Sequence, residues 1–218
     1  MSKTLGLWLA CILISVLSFG QSKDYTKAPA IGVHFFLNDY KSAANIRSSS
    51  LNSVFLNKQF GKIKEMTAGL AVNYLKGLAN HFDFSVTAAG SFVSYDLRGQ
   101  PGSARDRFLL EVDASVIAKM VADKYWMTPY FQTGLGGLMY GVYYGAFIPA
   151  GMGLQLNFYD EAFLLINAQY RIPITETANY HFYYSLGIAG NIGKKKDETS
   201  RLKHFPSLPF AINKITAE

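Results

Sequence analysis

The chain has 218 residues, half of them hydrophobic, 15% aromatic and only 17% charged, with a formal net charge of +6. Its mean hydropathy is +0.10: the apolar residues are diluted by alternation with small and polar ones instead of gathering into runs of about 20, which excludes a bundle of membrane helices. The basic residues concentrate at Lys58, Lys62 and Lys64 and at Lys194, Lys195 and Lys196, and no helix interleaves a basic face with stacking aromatics, which excludes nucleic acid as a partner.

Residues 1–20 read as a secretory signal. Lys3 provides the positive start, 5–19 is apolar, and Ser18 and Gly20 are small residues at the cleavage positions, so cleavage is expected before Gln21. The only cysteine, Cys11, lies inside this stretch. Trp8-Leu9-Ala10-Cys11 lacks the leucine that a lipoprotein signal places three residues earlier, so the mature chain is expected to carry no cysteine and no disulfide.

From Gln21 onward the dominant signal has period two. A first strand is expected over 31–38, with His34 on the face of Gly32. A long connection, 39–65, follows. Within it Ile46, Leu51, Val54 and Phe55 approximate helical spacing after Ser48, Ser49 and Ser50, which predicts a short helix over 50–59. In 66–74, Met66, Ala68, Leu70, Val72 and Tyr74 share one face while Thr67, Gly69, Ala71 and Asn73 share the other. Phe82, Phe84, Val86, Ala88 and Phe92 then alternate with Asp83, Ser85, Thr87 and Ser91. Leu110, Val112, Ala114 and Val116 alternate with Glu111, Asp113 and Ser115. Residues 128–139 form a strand of ambiguous parity. Ile148, Ala150, Met152, Leu154, Leu156 and Phe158 oppose Gly151, Gly153, Gln155 and Asn157. Leu164, Ile166, Ala168 and Tyr170 oppose Asn167, Gln169 and Arg171, and Phe182, Tyr184, Leu186 and Ile188 oppose Ser185, Gly187 and Ala189. The strands number eight, each near the 9–11 residues that a tilted strand needs to cross a bilayer.

The two faces distinguish a membrane barrel from a soluble one. A soluble barrel turns its apolar face inward and its charged face to water. Here the second face is mostly Gly, Ala, Ser, Thr and Asn, residues small enough for the narrow interior of eight strands. The large apolar face is therefore expected to meet lipid, and closure satisfies every backbone donor, as lipid demands. Long connections, 39–65 and 96–107, alternate with short ones, 76–80 and 159–161, as external loops alternate with periplasmic turns. Aromatic girdles are expected from Tyr125, Trp126, Phe158 and Tyr159 at the periplasmic turns, and from Tyr140, Tyr143, Tyr144, Tyr180 and Tyr183 near the external ends.

These strands, the signal and the extended segment GAFIPAGMGLQLNFYDEAFLLINAQYRIPITETANYHFYYSLGIAGNIGKKK resemble the barrel of OmpA-type outer-membrane proteins over about 31–196. The resemblance implies an all-β fold, an eight-stranded antiparallel up-and-down transmembrane barrel over 21–193, exported to a bacterial outer membrane. It rests on extended segments and names no catalytic motif. Family members often continue into a peptidoglycan-binding domain, whereas 194–218 is expected to form only a short basic periplasmic tail.

Few constellations point to chemistry. His81, Asp83 and Ser85 share a strand face, but residues two apart on a strand lie roughly 6.5 Å apart, too far for a catalytic triad. His34, His181 and His204 are scattered, and no metal-ligand spacing occurs, so no metal and no cofactor is expected. Gly134, Gly136, Gly137, Gly141, Gly151 and Gly153 lack the Lys-Ser/Thr of a phosphate loop. The inward charges are the informative group. A polar network of His34, Asp83, Glu111, Asp113, Lys119, Gln155, Gln169 and Arg171 is expected in the lumen, with Arg171 pairing with Glu111 or Asp113, and Lys119 with Asp83, because an unpaired buried charge is costly. The expectation is a monomeric, non-enzymatic barrel with a structural or interaction role. Its partners are outer-membrane lipid and proteins that meet its external loops. The alternatives are a narrow small-solute channel, a lipid-modifying barrel and a soluble lipocalin-type barrel.

Overall fold

The computed structural model describes residues 26–93, 107–121, 125–158 and 162–192. The expectations for the signal, the tail and Tyr159 lie outside these residues. Eight strands run in chain order: β1 (Ala30–Asp39), β2 (Thr67–Ala79), β3 (Phe82–Val93), β4 (Arg107–Lys119), β5 (Met127–Tyr140), β6 (Tyr143–Phe158), β7 (Ala162–Pro173) and β8 (His181–Asn191). Each pairs antiparallel with its neighbour, and β1 closes on β8 from Ala30↔Asn191 to Asp39↔Phe182. Closure leaves no free edge, the condition for strands to sit in hydrocarbon.

The alternation read from the sequence becomes an outside and an inside. Val33 pairs with Val72 on one side and Ile188 on the other, and Phe35 with Leu70 and Leu186. Val33, Val72, Leu186 and Ile188 are 60, 54, 51 and 66% exposed, whereas His34, Asn73, Thr87 and Ser185 are buried. A barrel that turns Val, Leu and Ile outward and Asn, His and Ser inward reverses the soluble arrangement.

The ambiguous strand resolves in β5: Thr128, Tyr130, Gln132, Leu138 and Tyr140 face inward, and Phe131 and Leu135 outward. Small residues do not fill the whole interior. Leu75, Ile117, Tyr130, Phe163 and Leu165 form an apolar cluster in the lumen. Leu109, Leu138, Tyr140 and Phe147 form a second. Glycines make room for these rings, since a Cβ at Gly136 would stand 2.4 Å from the Phe147 ring.

Two boundaries differ from the sequence reading. Residues 76–80 are not a connection: β2 continues to Ala79 and the turn is 80–81, with the register shifting between Gly77 and Ala79. Gly77 N–H donates to the Lys27 carbonyl at 3.2 Å, so the segment before β1 supports this end of the strand. The first long connection holds two α-helices and a 3-10 turn (Ile63–Glu65) instead of one helix. Helix α1 (Tyr40–Ser48) is capped by Asp39, whose carboxylate accepts from Ser42 N–H at 2.8 Å. Helix α2 (Leu51–Leu56) is capped by Ser50. Helix α1 escaped sequence reading because its buried face is small, Ser42 and Ala43 beside Tyr40; packing on the barrel, not an apolar stripe, holds it.

One end of the barrel carries the connections 40–66, 141–142 and 174–180, with the end of β3 at Val93 and the start of β4 at Arg107, and the other carries the turn 80–81, with the end of β6 at Phe158 and the start of β7 at Ala162. The first is called the long-loop end below, and the second the short-turn end.

Candidate functional site

Two charged layers cross the lumen. The first lies toward the long-loop end. Arg171 comes inward from β7, two residues beyond Gln169 on the same face. Its Nη1 lies 2.8 Å from Glu111 Oε2 and its Nη2 3.3 Å from Asp113 Oδ1, and all three side chains are essentially inaccessible. The guanidinium sits 3.9 Å from the Tyr183 ring centroid and 4.8 Å from that of Phe147. A weakly hydrated planar cation suits such a place between carboxylates and aromatic faces. Glu111 also accepts from Asn38 Nδ2 at 3.1 Å and lies 3.2 Å from His181 Nε2. Asp113 accepts from the Ser115 hydroxyl at 2.9 Å. Above this layer the Tyr40 ring of α1 packs at a tilt against His181 with centroids 4.6 Å apart, which ties the helix to the lumen charges.

The second layer lies toward the short-turn end. Asp83 receives Lys119 Nζ at 2.8 Å and Lys27 Nζ at 3.3 Å, all three side chains being buried. Lys27 also donates to Gln155 Oε1 and rests 4.4 Å from the Phe163 centroid. Each buried charge thus has a partner, without which its desolvation penalty would stand uncompensated.

Between the layers a cavity of about 20 Å³ for the centre of a water molecule is lined by His34, Asn73, Thr87, Gln132, Asn167, Gln169 and Ser185, among others. Asn167 Nδ2 donates to Gln132 Oε1 at 3.2 Å. The side-chain oxygens of Asn167 and Gln169 have no hydrogen-bond partner among the described residues. A space of this size accommodates one or two waters. The His34 ring packs against Gly187 of β8, where a Cβ would stand 2.3 Å from it.

The structure therefore brings Glu111, Asp113 and Arg171 together, and separately Asp83, Lys119 and, through Lys27, Gln155. His34 and Gln169 line the cavity between the two sets and belong to neither. Sequence reading missed Lys27, Asn38 and His181. Asn38 and His181 carry the inward parity of His34 and Tyr183, so alternation had marked them. Lys27 precedes the first strand and has no periodicity to mark it. Among the catalytic candidates, Asp83 is engaged by two lysines, and His81 Nδ1 lies 3.2 Å from the Lys119 carbonyl.

The expected girdle divides. Tyr125, Trp126 and Phe158 are exposed at the short-turn end and Tyr144 at the long-loop end. Tyr140 departs from expectation: it is 1% exposed, faces the lumen and donates its hydroxyl to the Val93 carbonyl at 3.0 Å. The turn at 141–142 is so tight that Tyr140 keeps strand parity to its end, and that parity points inward. Tyr143 packs partly buried against the same lumen cluster, and Tyr183, also expected at this interface, shares the inward parity of His181 and is 2% exposed. Tyr180 stacks on Tyr170 outside the barrel.

No protein-family model matches the sequence, and neither does any curated protein. Solved structures do match in fold. Neisserial surface protein A aligns with a TM-score of 0.50 and 13% identity over 77% of this chain and 99% of that one. The attachment invasion locus protein Ail of Yersinia pestis gives 0.47 and 11%, over 75% and 98%. The N-terminal β-barrel domain of OprF from Pseudomonas aeruginosa gives 0.46 and 11%, over 76% and 98%. The chain has the fold of the eight-stranded outer-membrane β-barrels.

Proposed function

We propose that the chain is an integral protein of a bacterial outer membrane with a structural or interaction role, its lumen closed to solutes by the two ion-paired layers. One observation carries the reading: the outside is a continuous apolar belt, while Arg171, Glu111, Asp113, Asp83, Lys27 and Lys119 are buried inside. Such a surface needs acyl chains as solvent. A lumen crossed by bonded side chains leaves the long-loop end as the part available to protein partners. We read no catalysis in it, since His81 and Asp83 serve the turn and the ion pairs.

A second reading, a narrow small-solute channel, draws on the polar cavity around His34 and Gln169. One measurement tests the membrane assignment that both readings share, and a second separates them. Membrane fractionation with heat-modifiable gel mobility is expected to find a folded barrel in the outer membrane; recovery from the soluble periplasm would refute the membrane assignment. Planar-bilayer recording is expected to show no steady conductance for the unaltered chain. Steady single-channel steps would refute the closed lumen and favour the channel.

A further inference from the structure

The connection 40–66 carries a feature that a simple loop does not need. Beside neutral polar residues such as Ser48 and Asn57, two kinds of side chain are exposed on it. Leu51, Phe55, Leu56 and Ile63 are apolar, with Leu56 and Ile63 73 and 72% exposed. Lys41, Arg47, Lys58, Lys62 and Lys64 are basic and exposed, against the single acid Glu65. Only Lys41 of these lies near Glu65, at 3.9 Å.

The segment is held in a definite place. Gly61 N–H donates to the Ser42 hydroxyl at 3.0 Å, and the chain reverses through Lys58 and Gly61, both at positive φ. This fold lays Phe60 against the outside of the barrel. The Phe55 and Phe60 centroids are 4.9 Å apart, Phe60 and Phe182 5.5 Å, and Phe182 and Tyr170 4.9 Å. Tyr170 stacks on Tyr180, and the Arg47 guanidinium lies 3.5 Å from the Tyr180 centroid. Phe182 and Tyr170 are on the outward faces of β8 and β7. A line of rings thus joins Phe55 and Phe60 of the loop to the outer belt, with the Arg47 guanidinium beside it.

We infer that residues 47–64 form a lipid-headgroup site: Leu51, Phe55, Leu56 and Ile63 enter the leaflet beside β7 and β8 while Arg47, Lys58, Lys62 and Lys64 bind the phosphates of its lipids. The inference rests on the membrane assignment above. Apolar side chains flanked by lysines are what an element lying in the interfacial plane presents. Each cation near an anionic surface contributes about fivefold in association. The occupant is a lipid and not free phosphate, because the apolar side chains are continuous with a surface that already requires acyl chains.

The test uses the full chain refolded into phosphatidylcholine vesicles with or without lipid A. In a Cys11→Ser background, a fluorescent label on Leu56→Cys is expected to be shielded from water and quenched by headgroup-level quenchers carried on lipid. The triple variant Lys58→Gln/Lys62→Gln/Lys64→Gln is expected to retain lipid A about a hundredfold less tightly than the unaltered chain, from three such factors, with inorganic phosphate failing to compete. Equal retention by the triple variant overturns the inference, as does competition by inorganic phosphate at the same concentration. A water-exposed label at residue 56 on a barrel that has inserted and shows heat-modifiable mobility overturns it while leaving the membrane assignment intact. Failure of the folded chain to insert refutes both.

Discussion

Arg171 is fully buried between two carboxylates and two aromatic rings, so removing its charge leaves Glu111 and Asp113 as neighbouring anions with no guanidinium between them. Arg171→Met keeps most of the volume and is expected to destabilise the barrel by about 3–5 kcal/mol, the usual effect of breaking a buried pair from one side. Urea unfolding followed by gel mobility reads it. Adding Glu111→Gln and Asp113→Asn is expected to recover part of that loss, since neutral amides remove the uncompensated charges; a triple variant no more stable than Arg171→Met would show that the ion pairs are not the cause. Gly187 presents the opposite constraint. It is a position where size, not charge, decides, because a Cβ there meets the buried His34 ring. Gly187→Ala is expected to cost about 1–3 kcal/mol from overpacking, and the cost should shrink in a His34→Ala background. Additive losses in that cycle would place the strain elsewhere.

Among the elements, α1 has the least support from its own sequence. It buries little apolar surface, and its order comes from the Asp39 cap, the Tyr40 ring on His181 and the Ser42 bond to Gly61. Asp39→Ala is expected to weaken the helix by about 1 kcal/mol and to speed proteolytic nicking within 40–66 while the strands remain protected. Asp39→Asn keeps an acceptor for Ser42 N–H and is expected to behave as the unaltered chain. Equal nicking of all three forms would show that the cap does not hold the loop. At the other extreme, the turn at 141–142 needs its glycine. Gly141 has φ 61, and this lets β5 and β6 pair right up to Tyr140↔Tyr143.

At the scale of the whole molecule, the decisive property is which solvent the exterior meets. Leu186 is half exposed near the middle of β8, opposite Phe35 and Ile166. If the belt faces acyl chains, Leu186→Arg costs about 2–4 kcal/mol, as a cation does at the bilayer midplane. Folding yield and urea stability in vesicles measure it. In a barrel that faced water the same change would be neutral, so an unaffected Leu186→Arg would argue against the lipid-facing exterior. The lumen carries a parallel balance. Arg171 holds Glu111 and Asp113, and Lys119 and Lys27 hold Asp83, so neither layer leaves its carboxylates desolvated without a cation.

Much of this was legible in the chain because alternation is a local property. Period two assigned Val72, Leu186 and Ile188 to one face and Asn73, Ser185 and Arg171 to the other, and it named Glu111, Asp113 and Asp83 as the charges to be paired. It did not decide how the faces meet across the barrel. Closure of β1 on β8 brings His181 and Asn38 to Glu111, and the strand register carries Tyr140 inward at a turn where an interfacial ring was expected. Lys27 and α1 lie outside any strand, so only the packing of the N-terminal segment and the first loop against the two mouths gave them their places. A pattern with a two-residue period reports which side of a strand a residue faces; distance across a lumen depends on closure, tilt and the residues that fill it, which no single strand encodes.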